Sequence, residues 1–107
     1  MRVEDFREVI KRREYAEEIS NGEWAEGIEE CWKKEIDLLS EDIPSTCHFL
    51  NTECSAEEFS WISEVIEDVL VQTHSREIFD SFSALMDKYP EECDRYHIRE
   101  MMQDIRY

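Results

Sequence analysis

Ser55-Ala56-Glu57-Glu58-Phe59-Ser60-Trp61-Ile62-Ser63-Glu64-Val65-Ile66-Glu67-Asp68-Val69-Leu70-Val71-Gln72-Thr73 is the stretch on which the reading of the fold turns. Ser55 followed three residues later by Glu58 matches a capping box, in which each side chain bonds the other's backbone N–H. Phe59, Ile62, Ile66, Val69 and Leu70 then recur at helical spacing. The pattern predicts one helix over residues 56–73 with an apolar stripe inward and an acidic face outward.

Working outward, Ser75 is placed to cap a helix over 76–88, with Ile78, Phe79, Phe82, Leu85 and Met86 on its inner face. Tyr89-Pro90 ends it, and Pro90 suits the first position of a further helix. The last segment changes face at His97–Ile98. Tyr96 belongs to one stripe, and Ile98, Met101, Met102 and Ile105 to another. This predicts a short helix 91–96, a kink and a helix to about 106. Upstream, residues 2–20 carry Val3, Phe6 and Ile10 at helical spacing. Arg13 and Glu17 continue that direction, while Tyr15 and Ile19 point elsewhere. The helix therefore ends near Arg13, or its second half packs on another neighbour. Asn21-Gly22 is a left-handed-tolerant stop. A second helix over 23–40 places Trp24, Ile28, Cys31, Trp32, Leu38 and Leu39 on one face. Residues 41–54 read as the only long connection, since Pro44 disfavours helix at Ile43. The result is an all-α single domain, 1–107, of five or six packed antiparallel helices.

The chain has 107 residues and a formal net charge of −16, with only two Gly and two Pro. Its length argues against a multidomain enzyme. Its charge argues against direct nucleic-acid binding, because a phosphate backbone repels it. Its 11% aromatic content argues against disorder. The charge is uneven: residues 1–13 carry +2, residues 14–68 carry −15 and residues 69–107 carry −3. Self-repulsion at such density weakens the compact state. An acidic face for a basic partner is the functional alternative to mere solubility. The first residues lack an apolar signal region, and no apolar run is long enough to span a bilayer. These features predict a cytoplasmic protein with no membrane partner. Its four cysteines, Cys31, Cys47, Cys54 and Cys93, are then expected to be reduced.

Candidate chemistry is sparse. Cys47, His48, Cys54, Cys93 and His97 could be tested as zinc ligands, but Cys-His-x5-Cys is not a tight pair and a fourth ligand must come from a distant helix. Small apolar packing explains the thiols better. Glu35 is the only acid on an apolar stripe, so burial should raise its pKa unless an arginine such as Arg13 neutralises it. No Glu-x-x-His, Gly-rich phosphate loop or nucleophile signature occurs. An enzyme is therefore disfavoured and no cofactor is expected.

Trp61 stands out. On its helix it projects away from Phe59 and Ile66, among Glu57, Glu64 and Asp68. An aromatic ringed by carboxylates fits a binding hot spot, with acids to steer a basic partner. It fits equally a tryptophan packed against one more helix. Glu26, Glu30 and Asp37 form a second acidic patch, on the outer face of the second helix.

Phe49-Leu50-Asn51-Thr52-Glu53-Cys54, leading into Ser55 to Val65, continues as Gln72-Thr73-His74-Ser75-Arg76-Glu77-Ile78-Phe79 and Asp87-Lys88-Tyr89-Pro90-Glu91-Glu92. These segments resemble small bacterial immunity proteins encoded beside polymorphic or contact-dependent growth-inhibition toxins. The resemblance covers roughly residues 47–98. It implies a non-enzymatic protein that binds one cognate toxin tightly and blocks it, and it carries over no invariant binding residues. Toxin domains that are nucleases have basic clefts, which an acidic helical surface can occupy in place of phosphate. The expected partner is thus a toxin with a basic surface. The alternatives are an acidic interaction or regulatory module, or a small metal-binding helical protein.

Overall fold

Capping residues decide where the helices begin. The computed structural model describes residues 1–20 and 25–105. They form α1 (Val3–Ser20), α2 (Ala25–Glu41), α3 (Ile43–Thr52), α4 (Ala56–Ile62), α5 (Ile66–Thr73), α6 (Arg76–Lys88), α7 (Pro90–Arg95) and α8 (Ile98–Asp104). The all-α class is as expected, and no strand occurs among the described residues. Trp24 and the Asn21-Gly22 stop lie outside the described residues. The capping box is formed: the Glu58 amide donates to Ser55 Oγ at 3.1 Å and the Ser55 amide donates to Glu58 Oε1 at 2.9 Å. The Ile78 amide donates to Ser75 Oγ at 3.1 Å, starting α6. Pro90 opens α7, where a missing N–H costs nothing.

Among the described residues, eight helices replace the expected five or six, for two reasons. The stretch 41–54 is not a connection: residues 43–52 are helical. Asp42 is extended and its side chain accepts the Ser45 amide at 3.2 Å, so Pro44 falls in the first turn, where no intrahelical N–H bond is due. Thr46, Phe49 and Leu50 then share the buried face, and Thr46 Oγ1 donates to the Leu39 carbonyl at 2.9 Å.

The second correction is a break in the helix expected over 56–73. The Glu64 and Val65 amides bond back three residues, to the Trp61 and Ile62 carbonyls at 3.2 and 2.9 Å, before Val69 resumes the α pattern on Val65. No Gly or Pro sits there. The break turns Val65 into the core, 1% exposed, and leaves Glu64 free to reach α1.

Elsewhere the chain reverses through left-handed residues. His74 (φ 51°) ends α5 and His97 (φ 54°) separates α7 from α8, at the kink expected there. α1 is helical through Ser20; it does not stop at Arg13, because its second half packs on α2. Tyr15 and Ile19 remain exposed.

Packing is not merely between sequence neighbours. α1 lies on α2, but α3 packs on α6, α2 on α5 and α4 on α7. The core draws on every helix: Phe6 meets Phe49 edge-on at 5.6 Å, and Phe59 lies 5.0 Å from Phe82 and 6.0 Å from Tyr89. Tyr89 Oη donates to the Cys54 carbonyl at 2.7 Å, tying the α6–α7 corner to the start of α4. Arg7 Nε bonds Glu58 Oε2 at 2.8 Å and ties α1 to the same turn. Burial alone would raise the Glu58 pKa, but the bonds from Arg7 and the Ser55 backbone outweigh it and hold it below the usual range. No helix among the described residues is long and apolar enough to cross a membrane.

Ser55→Ala is expected to lower stability by about 1 kcal/mol, and Ser55→Gly by only a few tenths. Urea unfolding curves for the two variants check this; a Ser55→Ala chain as stable as the native one would show that the hydroxyl contributes nothing.

Candidate functional site

Three helices deliver one charged cluster. α1 contributes Arg13, Glu14 and Glu17, α2 contributes Trp32 and Glu35, and α4 with its following turn contributes Trp61 and Glu64. Arg13 is 3% exposed. Its Nε and Nη2 donate to Glu64 Oε1 and Oε2 at 3.0 and 2.8 Å, a two-pronged bond between residues 51 apart in sequence. The guanidinium carbon lies 4.9 Å from the Trp61 ring centre and 5.8 Å from that of Trp32. A planar cation between two indoles gains quadrupole attraction as well as contact area. Trp32 Nε1 donates to Glu64 Oε1 at 3.1 Å, and Trp61 Nε1 to Glu14 Oε1 at 3.2 Å. Both tryptophans are therefore oriented by carboxylates.

The protonation states follow from this packing. Burial disfavours the Arg13 charge, but the Glu64 fork and the nearby carboxylates outweigh it and hold its pKa above the ordinary value. Glu35 lies behind the pair, 0% exposed, and neither of its oxygens accepts a hydrogen bond. Burial, reinforced by the Glu64 charge and only partly offset by Arg13, lifts its pKa to about 8. The Glu35 pKa is raised as its place on an apolar stripe predicts, and Arg13 does not neutralise it. Arg13 spends its fork on Glu64, and Glu35 is a neutral acid at pH 7. Glu14 is also raised, by burial and by its hydrogen bond and charge repulsion with Glu57. Because Glu35 is sealed from solvent, its shift bears on stability and not on a substrate.

On the solvent side of this cluster lies an open cleft of about 530 Å³. It is lined by Glu17 of α1, Ser60, Trp61, Ser63 and Glu64 of α4 and its following turn, Tyr96 at the end of α7 and Met101 of α8. Trp61 is half-buried, so neither a fully exposed hot spot nor a fully packed core residue describes it. Glu64 shares the cleft with Trp61, as the spacing suggested, but its side chain is only 27% exposed and bound to Arg13. Glu57 and Asp68 are exposed and do not line this cleft; the turn at 63–65 puts Asp68 on a different helix from Trp61. Glu26 and Glu30 flank Lys33 in a shallow depression of α2, and Asp37 is exposed one to two turns on.

Sequence reasoning missed the roles of Trp32, Glu14, Tyr96 and Met101. Tyr96, read as a stripe residue, is 52% exposed because the His97 reversal turns it out of the core. The one available signal was Arg13 and Glu17 continuing an apolar stripe. The candidate metal ligands are not brought together: Cys54 and Cys93 are buried, His48 and His97 exposed, and among the described residues no group of three or more His, Cys, Asp or Glu could hold a metal ion. Comparison of the chain with family models, curated proteins and solved structures found no match.

Arg13→Ala is expected to cost about 1–3 kcal/mol, because it removes a buried, packed side chain and leaves the partly desolvated Glu64 carboxylate without its partner. Arg2→Ala, which breaks an exposed pair with Asp5, should change stability by no more than about 0.5 kcal/mol. Thermal and urea unfolding compare the two, and similar losses would show that the buried pair has no special weight.

Glu35 gives a pH prediction with a definite sign. Its folded pKa lies above its unfolded one, so its favourable contribution is complete below about pH 4.5 and is lost as pH rises through about 8. Glu35→Gln cannot titrate. Its stability relative to the native chain should therefore climb between pH 5 and 8, by at most about 1.4 kcal/mol per pH unit, and level off above. Parallel stability–pH curves for the two proteins would contradict this.

Proposed function

We propose that this protein is an immunity protein, which binds a cognate bacterial toxin with a basic surface and neutralises it in a stoichiometric complex. One observation carries the reading. Much of the negative charge of residues 14–68 is displayed on the outside of the fold: Glu26, Glu30 and Asp37 on α2, Glu57 on α4 and Asp68 on α5 are all exposed. Intramolecular pairing absorbs little of it. Arg13 and Arg7 are used on Glu64 and Glu58, and Lys33 stands among Glu26, Glu29 and Glu30. Such a surface speeds encounter with a basic partner and rejects acidic ones. A nuclease toxin suits it best, since its cleft is built to accept a polyanion. The resemblance of residues 47–98 to immunity proteins supports the same reading. An acidic interaction module with a different basic partner would use the same face, and differs in what the neighbouring gene encodes.

Co-expression with the product of the adjacent gene tests the proposal. The expected result is a one-to-one complex on size exclusion, protection of growth, and a Kd that weakens at least tenfold between 50 and 500 mM salt. Glu26→Lys, Glu30→Lys and Asp37→Lys combined should weaken it further without unfolding the chain. Absence of both complex and protection would overturn the immunity reading.

A further inference from the structure

We infer that the cleft between α1, α4 and the α7–α8 elbow receives one basic side chain of the partner, held between Trp61 and Tyr96 with its charge against Glu17. This rests on the proposed capture of a basic protein and assigns the contact that would anchor it.

The lining defines the guest. Two aromatic rings and Met101 offer apolar and polarisable surface that suits an alkyl stem. The carboxylates of Glu17 and Glu64 bring two negative charges to the same cleft, and Arg13 returns only one positive charge. A phosphate or carboxylate guest is thereby repelled. Glu64 is already occupied, with both oxygens bonded to Arg13 and one also to Trp32. Glu17 is not: Arg13 Nη2 approaches its Oε1 only to 3.7 Å, and its Oε2 is shut off from water with no hydrogen-bond partner. The Glu17 side chain is 45% exposed, so its carboxylate has capacity left for a donor carried by the guest. The volume, about 530 Å³, accommodates an extended lysine or arginine side chain, and the cleft opens to the surface, as a residue carried on a protein requires. Tyr96 is 52% exposed, which leaves its ring available to close over such a side chain.

The site differs in kind from the acidic patches. Glu26, Glu30 and Asp37 present charge without a concave aromatic wall, and so suit long-range steering. The Trp61–Tyr96 cleft combines charge with desolvated area, the composition of an interface anchor.

A titration with a capped Gly-Arg-Gly peptide tests the cleft directly, followed by the Trp61 indole N–H and Met101 methyl resonances. The expected result is a saturable shift at both. Binding should be at least fivefold weaker for the uncharged Gly-citrulline-Gly peptide, and fivefold weaker in Tyr96→Ala, whose exposed ring can be removed without unfolding the chain. Equal shifts with citrulline or in Tyr96→Ala, or arginine shifts confined to the Glu26–Asp37 face, would overturn the inference. In the complex with the adjacent gene's product, Tyr96→Ala and Glu17→Gln should each raise Kd at least tenfold. A complex that forms with unchanged Kd in both variants sinks the cleft assignment and leaves the immunity reading intact. Failure to form any complex sinks the latter, and the peptide titration then decides the former alone.

Discussion

The Arg13–Glu64 fork is the constraint on which the rest of this structure depends. Its two residues sit 51 positions apart, so it closes a long loop and joins α1 to the turn between α4 and α5. A charge as buried as that of Arg13 is tolerable only when it is paired and bonded. That requirement reaches outward. It is met by Glu64 from the turn at which the helix breaks. It places the guanidinium over two indoles, which fixes Trp32 and Trp61. It leaves Glu35 behind the pair with no donor of its own, which makes that carboxyl a neutral one.

The cluster therefore separates two uses of acidic residues. Glu58 and Glu35 are buried acids and Glu64 a partly exposed one drawn against the fold; arginines hold Glu58 and Glu64, and Glu35 is protonated. Glu26, Glu30, Asp37, Glu57 and Asp68 are outward acids. The inward set bears on stability, because each protonation or pairing is coupled to folding. The outward set is a field that acts at range and is screened by salt. Trp61 stands where the two meet, with its indole N–H bound to Glu14 and its remaining surface in the cleft.

Much of the fold was legible in local patterns. The Ser55–Glu58 box, the Ser75 cap, the Pro90 start and the stripes of Phe59, Ile62, Ile66, Val69 and Leu70 all act within a few residues, and all occur as written in the sequence. α3 was missed because Pro44 carries opposite meanings: it ends a helix from within but suits a first turn, and only the Asp42 cap decides between them. The break at residues 63–65 was missed because nothing local marks it. Within the candidate site, Trp61 and Glu64 were found by spacing, whereas Tyr96 and Met101 come from another part of the chain and share no spacing with them.

By itself the sequence determined the helical class, most helix starts, the core stripes of the helices it placed and the concentration of negative charge in residues 14–68. These depend on periodicity, caps and composition, which are properties of neighbouring residues. Only the tertiary structure decided which acids are consumed inside, where the helix after Ser55 breaks, and which residues of distant helices line one cleft. Those outcomes rest on contacts between residues tens of positions apart. Their energies arise from desolvation and pairing, which do not exist until the helices are packed.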